Sequence, residues 1–195
     1  MELEDLKGKY QALQETIYFD ESHYYREQTK NPEAVQNLIT NLEGKLYEGG
    51  EDPYFLLGAL GYCYRVINLA EKAIEVFKRC LETVGDNEKK KMIALIRMGE
   101  AYKYNNQHDL ALQQFEKARK ILRRGQFTEY VDFLYQHQAK CYFELNDLDK
   151  AEELLAKALE LRIEKADESL IKSTRKVLDE VKRQRCGGQS EPDGN

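Results

Sequence analysis

Four tyrosines divide this 195-residue chain at a nearly constant interval: Tyr25, Tyr64, Tyr102 and Tyr142 lie 39, 38 and 40 residues apart. Each is followed nine residues later by an alanine (Ala34, Ala73, Ala111, Ala151) and preceded by three by a small residue (Ser22, Gly61, Gly99, Ala139). Four residues beyond each alanine stands a large apolar side chain: Leu38, Phe77, Phe115 and Leu155. A period of this length limits the fold more than composition does. Each unit has to be one supersecondary element that buries its apolar face by stacking on its neighbours.

The spacing predicts what that element is. A small residue and a Tyr three apart share one face of a helix, where the small residue admits a second helix closely and the Tyr fills the space beside it. The alanine supplies the reciprocal contact from the second helix. Asn68, Asn106 and Asn146 each follow a repeat Tyr by four residues. Asn tolerates the left-handed conformation that ends a helix, so these positions predict the turn. Asp109 and Asp147 then stand where an acidic start of the next helix is favoured. Each unit therefore reads as helix, tight turn, helix. No strand is predicted.

The stretches Leu60-Gly61-x-x-Tyr64…Ala73-x-x-x-Phe77 and Met98-Gly99-x-x-Tyr102…Ala111-x-x-x-Phe115-x-x-Ala118 resemble the tetratricopeptide repeat (TPR) signature. Ala139-x-x-Tyr142…Ala151-x-x-x-Leu155-x-x-Ala158 fits it nearly as well, and the copy around Ser22, Tyr25 and Ala34 is degenerate. The resemblance covers roughly residues 15–165. It implies an all-α fold, a right-handed α-α superhelix (solenoid) of about four helix-turn-helix units at 15–50, 54–87, 92–125 and 132–165. A capping helix is expected at 167–185, the whole forming a single domain over 1–185 with a disordered tail at 186–195. The period exceeds the family's usual length, and the extra residues fall in Val84–Lys91 and Arg123–Tyr130.

Both ends suit a capped array. Leu3, Leu6, Tyr10, Leu13 and Ile17 form an apolar stripe at helical spacing, which either packs on the array or pairs with a second copy. Leu170, Ile171, Thr174, Val177, Leu178 and Val181 form one face of the last helix. With 33% charged and 42% hydrophobic residues and a net charge of −5, the chain reads as folded and poorly suited to nucleic acid. The N-terminus lacks the pattern of a signal peptide, and no apolar stretch is long enough to span a bilayer. The four Cys lack CxxC spacing, so a reducing, cytoplasmic location is expected.

Few residues suggest chemistry. His137 and Cys141 stand four apart on one helix, but two ligands do not make a zinc site. Cys63, Cys80 and Cys141 occupy small-residue packing positions. Neither a phosphate-binding loop nor a catalytic triad can be assembled, so no enzyme activity, cofactor or metal is expected. The resemblance implies instead that first helices line a groove, with inward positions at fixed offsets from each Tyr. One residue after each Tyr stand Arg26, Arg65, Lys103 and Phe143. With Arg97, Lys140 and the aromatic Phe55, Tyr62 and Tyr104, these form the expected groove, suited to a peptide bearing carboxylates and a few apolar anchors. The alternative is that the cations only solvate a helix face. The expected function is a non-catalytic protein-interaction module, either an adaptor, scaffold or assembly factor. A dedicated bacterial chaperone or a peptide-sensing regulator is the alternative. The partner is a protein or peptide, with neither nucleic acid nor membrane involved, and the chain is a monomer or homodimer.

Overall fold

The structure, a computed structural model, describes residues 1–187. In chain order it runs α1 (Leu3–Gln14), β1 (Ile17–Asp20), β2 (Arg26–Thr29), α2 (Pro32–Tyr47), α3 (Pro53–Val66) and α4 (Ala70–Glu82). There follow α5 (Glu88–Tyr104), α6 (His108–Gly125), α7 (Val131–Glu144), α8 (Leu148–Glu164) and α9 (Glu168–Gly187). The chain divides into two compact units, Met1–Ile121 and Leu122–Asn195. The part of the expected tail beyond residue 187 lies outside the described residues. Cys186 and Gly187, also assigned to that tail, belong to α9.

The hairpins α3/α4, α5/α6 and α7/α8 follow the repeat residue by residue. Asn68, Asn106 and Asn146 adopt φ of 62°, 57° and 60°, the left-handed turn expected of them. In each case the residue after the Asn donates its backbone N–H to the carbonyl of the repeat Tyr: Leu69 to Tyr64, Gln107 to Tyr102 and Asp147 to Tyr142, at 2.8–2.9 Å. This bond satisfies a carbonyl that the helix end would otherwise leave open. Asp147 also caps α8, its side chain accepting from the N–H of Lys150. The extra residues of the longer period lengthen α5 at its start and α6 at its end, with a single 3-10 turn at Thr128–Tyr130.

Packing explains why the small residues are small. A Cβ built on Gly99 would lie 2.5 Å from the Phe115 ring, and one on Gly61 would lie 2.7 Å from the Phe77 ring. In the α7/α8 hairpin the pair becomes Ala139 and Leu155, both fully buried, so an added methyl on one helix is matched by a smaller side chain on the other. The repeat thus conserves the summed volume at the contact.

The second unit has a polar staple that the pattern did not predict. Asp132 on α7 has no exposed surface. Arg162 on α8 donates Nε–H to its carboxylate at 2.9 Å and Nη1–H to Thr174 Oγ1 on α9 at 2.5 Å. Lys165 completes the group by binding the other Asp132 oxygen. One buried carboxylate therefore ties three helices, and its burial is tolerable because both oxygens are matched. The apolar face of α9 also seats here, with Ile171, Val177, Leu178 and Val181 buried.

The N-terminal quarter departs from the expected repeat. Residues expected to form a first helix through Ser22 and Tyr25 instead form an antiparallel β-hairpin, with Ile17 opposite Thr29 and Asp20 opposite Arg26. The run Thr16-Ile17-Tyr18-Phe19 is β-branched and aromatic, which favours extended backbone. Asp20 then turns the chain by accepting hydrogen bonds from the Ser22 N–H at 3.0 Å and the Ser22 hydroxyl at 2.6 Å. Tyr24 and Tyr25 both take left-handed conformations, φ 54° and 57°, to close the turn. The match of Tyr25 and Ala34 to the repeat is one of spacing alone, since Ala34 is exposed. α2 buries Val35, Leu38, Ile39 and Leu42 instead, and Asn31 caps its start. Of the N-terminal apolar stripe, Leu6 and Leu13 are buried on α1, while Ile17 begins β1.

The Gly/Phe contact leads to a test. Gly99→Ala should lower stability by about 1–3 kcal/mol, the usual cost of overpacking a tight core. The double variant Gly99→Ala/Phe115→Leu, which copies the natural Ala139/Leu155 pair, should recover part of that loss in urea unfolding. A double variant no more stable than Gly99→Ala would disprove the volume-matching account.

Candidate functional site

The expected groove residues of the first unit come together around one aromatic ring. Tyr104, at the end of α5, has three cations over its ring: Arg65 at 4.7 Å, and Arg26 and Lys103 each at 5.1 Å from the centroid. Arg65 also stacks over Tyr62 at 5.0 Å. Cations over aromatic faces are attracted by the ring quadrupole, more strongly where water is excluded. Water is excluded here: Arg65 is 2% exposed and Lys103 1%.

The charge of Arg65 is met by carboxylates. Arg65 on α3 forms an ion pair with Glu27 of β2 and lies 3.5 Å from Glu100 of α5. Burial works against its charge, but Glu100, Tyr104 and Glu27 outweigh burial and raise its pKa well above the ordinary value. The two tyrosine hydroxyls respond to the same environment. Burial drives Tyr62 and Tyr104 far above the usual tyrosine range, with Glu27 and Glu100 adding to the effect, so both remain protonated donors.

The N-terminal segment supplies the cover. Arg26 was expected on a groove-lining first helix; it stands on β2 and reaches across to the C-terminal end of α5. There its guanidinium donates to the carbonyls of Lys103 at 3.1 Å and Tyr104 at 3.2 Å, and to Asn106 Oδ1 at 3.0 Å. A cation at this position complements the negative end of the helix dipole. The backbone N–H of Glu27 donates to the Tyr104 hydroxyl oxygen. Gln28 meets the side chain of Asn68, the turn residue of the α3/α4 hairpin, at 3.4 Å. Further along, Tyr10 of α1 packs edge-on against Phe55 at 5.9 Å and Tyr62 at 5.6 Å, and the Tyr62 hydroxyl donates to Gln14 Oε1 at 3.2 Å.

The remaining expected residues lie nearby or elsewhere. Arg97 on α5 extends over Gly58 of α3, where a Cβ would stand 2.8 Å from its Nη1. Gly58 thus makes room for a guanidinium. Lys140 is buried on α7 of the second unit. Sequence spacing singled out Arg65, Lys103, Tyr62 and Tyr104; Glu27, two residues after Tyr25, and Glu100, two before Tyr102, fall at inward offsets of the same pattern but were not singled out, although they set the charge balance.

Among the described residues no group of three His, Cys, Asp or Glu side chains is placed to hold a metal ion. No described helix is long and apolar enough to cross a membrane. Cys63, Cys80 and Cys141 are buried, and Cys186 is exposed. Burial pushes the Cys63 thiol up to about 12 and the Cys80 thiol to about 11.

Residues 90–164 match the model of the tetratricopeptide repeat family. Over that stretch the chain is similar to tetratricopeptide repeats. A search of curated protein sequences gives no match. Among solved structures the apo form of RapI is similar at TM-score 0.65 and 20% identity, covering 81% of this chain and 59% of that one. This chain therefore spans less than two thirds of RapI. PcrH, a Pseudomonas aeruginosa protein crystallised with the chaperone binding region of PopB, is similar at TM-score 0.52 and 21% identity, covering 66% of this chain and 97% of that one. The Sgt2 TPR domain from Aspergillus fumigatus is similar at TM-score 0.56 and 18% identity, covering 74% and 87%. At these identities the likeness establishes the α-α repeat fold.

Two measurements test the site. Arg65→Ala should cost about 3–5 kcal/mol, because it leaves Glu27 and Glu100 facing each other across a dry site. Adding Glu27→Gln and Glu100→Gln should restore part of that stability; a triple variant as unstable as Arg65→Ala would refute the charge-balance account. Thiol titration of the native chain at pH 8 should find Cys186 reacting fast and the other three only on unfolding, since the thiolate is the reactive form. Rapid modification of Cys63 or Cys80 in the folded chain would contradict the burial described.

Proposed function

We propose that this chain is a non-catalytic protein-interaction module, an adaptor, scaffold or assembly factor. It holds an extended segment of a partner protein, through carboxylates and a few apolar anchors, on the face formed by α3 and α5. The observation that carries this reading is the buried Arg65, set between the Tyr62 and Tyr104 rings and already paired with a carboxylate on extended backbone. A site with this chemistry selects a carboxylate by charge and an extended chain by the hydrogen bonds at Tyr104 and the end of α5. Phe55, Tyr62 and Tyr104 supply aromatic surface of the kind that anchors interfaces. Arg97 and Lys103 add positive potential that orients an acidic partner.

A second reading, a dedicated bacterial chaperone or peptide-sensing regulator, draws support from the likeness to PcrH, whose structure holds the chaperone binding region of PopB. Both readings place the protein where its buried thiols stay reduced, in the cytoplasm, and both require a protein partner rather than nucleic acid.

The test is affinity capture from the native cell with the full chain, quantified against Arg97→Glu/Lys103→Gln checked by circular dichroism to be folded. Loss of charge on this face should reduce recovery of the specific partner at least about fivefold, the effect of about 1 kcal/mol. Equal recovery by the folded double variant would overturn the assignment of this face.

A further inference from the structure

The face proposed to hold a partner is occupied by the chain itself, and the occupant has the chemistry of a ligand. We propose that the Ile17–Thr29 hairpin is an intramolecular ligand of the first unit. It keeps the place of an extended partner segment that carries a cation followed directly by a carboxylate, as Arg26-Glu27 does. This rests on the interaction function above and adds to it both the partner's chemistry and a control on access.

Three observations carry the proposal. First, β2 docks through polar contacts of a transferable kind. The Arg26 guanidinium binds two carbonyls at the end of α5 and the Asn106 side chain, the Glu27 carboxylate pairs with Arg65, and the Glu27 N–H meets Tyr104. Any extended Arg-Glu or Lys-Glu dipeptide can reproduce these bonds, because two of the three groups are side chains and the third is backbone common to all residues. Strand residues Arg26 to Thr29 are all half-buried, unlike the sealed core of the helical hairpins. Water can take over these polar groups once the hairpin leaves, which makes the docking reversible.

Second, the turn is strained. Consecutive Tyr24 and Tyr25 hold φ of 54° and 57°, where a bulky side chain without glycine's freedom is disfavoured. Such a turn persists where the surrounding structure holds it, and Tyr25 is buried in the first unit. Third, the neck of the hairpin is closed independently of the face. Lys30 N–H donates to the Thr16 carbonyl at 2.9 Å, and the Thr16 and Thr29 hydroxyls lie 3.0 Å apart. Asn31 then caps α2. The hairpin can therefore leave the face as a unit while α1 and α2 keep their own packing. Once it leaves, Arg65 keeps Glu100 at 3.5 Å and its two aromatic rings but loses Glu27, and the vacant position favours another carboxylate.

An occupied site lowers apparent affinity in proportion to the fraction of molecules whose face is open. The experiment uses the full chain and, as probe, a fluorescent synthetic peptide of residues 16–30. Binding is read by anisotropy, and hairpin release by amide hydrogen exchange at residues 26–29. Glu27→Arg places like charge against Arg65 and should release the hairpin. Exchange at 26–29 should rise, and the variant should bind the peptide at least about tenfold more tightly than the parent chain. A peptide carrying the same Glu27→Arg change should not bind. Arg26→Ala, which removes the guanidinium's contacts with the end of α5 and leaves the Glu27 pair in place, provides a milder release should Glu27→Arg fail to fold.

Faster exchange with no gain in peptide binding would overturn the proposal, as would unchanged exchange in both folded variants. A released variant that binds the peptide yet captures no cellular partner would overturn the interaction function and leave the intramolecular ligand intact. Partner capture that is strong and equal in the parent chain and the folded Glu27→Arg variant would do the reverse.

Discussion

A guanidinium with almost no exposed surface has to be neutralised where it stands, and Arg65 imposes that requirement on the first unit. It lies on α3 and is flanked by aromatic rings from α3 and α5. Its countercharges come from Glu100 on α5 and Glu27 on the hairpin. The burial that makes the site dry also makes the charge costly if any partner is absent. Two helices and a strand from distant parts of the sequence are thereby required to meet at one point. Tyr104 serves as the common surface, since its ring faces the cations and its hydroxyl meets the strand backbone.

The helical hairpins rest on a different and simpler constraint. Two helices approach closely where one carries Gly or Ala and the other fills the gap with Phe or Leu. Gly61 with Phe77, Gly99 with Phe115, and Ala139 with Leu155 are three solutions to the same volume. The Asn turns fix where each first helix stops, and so where the second begins. Apolar packing and turn geometry set the scaffold, and the charged cluster and the Asp132 group are built upon it. These polar groups contribute specificity of arrangement rather than bulk stability, because desolvation offsets much of their attraction.

That division of labour bears on function. The α3 and α5 positions that carry Arg65, Lys103 and Tyr104 are placed by the rigid repeat. The segment that covers them is an irregular hairpin joined by short connections to α1 and α2. The face is set by the repeat and its cover by a polar hairpin, and the two come from separate stretches of the chain.

Local pattern determined the repeats in this protein. The Tyr, Ala and small-residue spacing, the left-handed Asn turns and the amphipathic α9 all follow from contacts within one or two neighbouring helices, and such contacts leave a regular imprint on sequence. The same spacing located Arg65, Lys103, Tyr62 and Tyr104. It could not place residues 17–29, where Tyr25 and Ala34 matched the repeat by position while the β-branched and aromatic run favoured a strand. Tertiary structure decided that part, because the groups that satisfy Arg26 and Glu27 lie about 40 to 80 residues further along the chain. A carbonyl at the end of a helix and a guanidinium from another element carry no periodicity that would reveal their meeting in advance. Only the folded chain brings the N-terminal hairpin against α3 and α5.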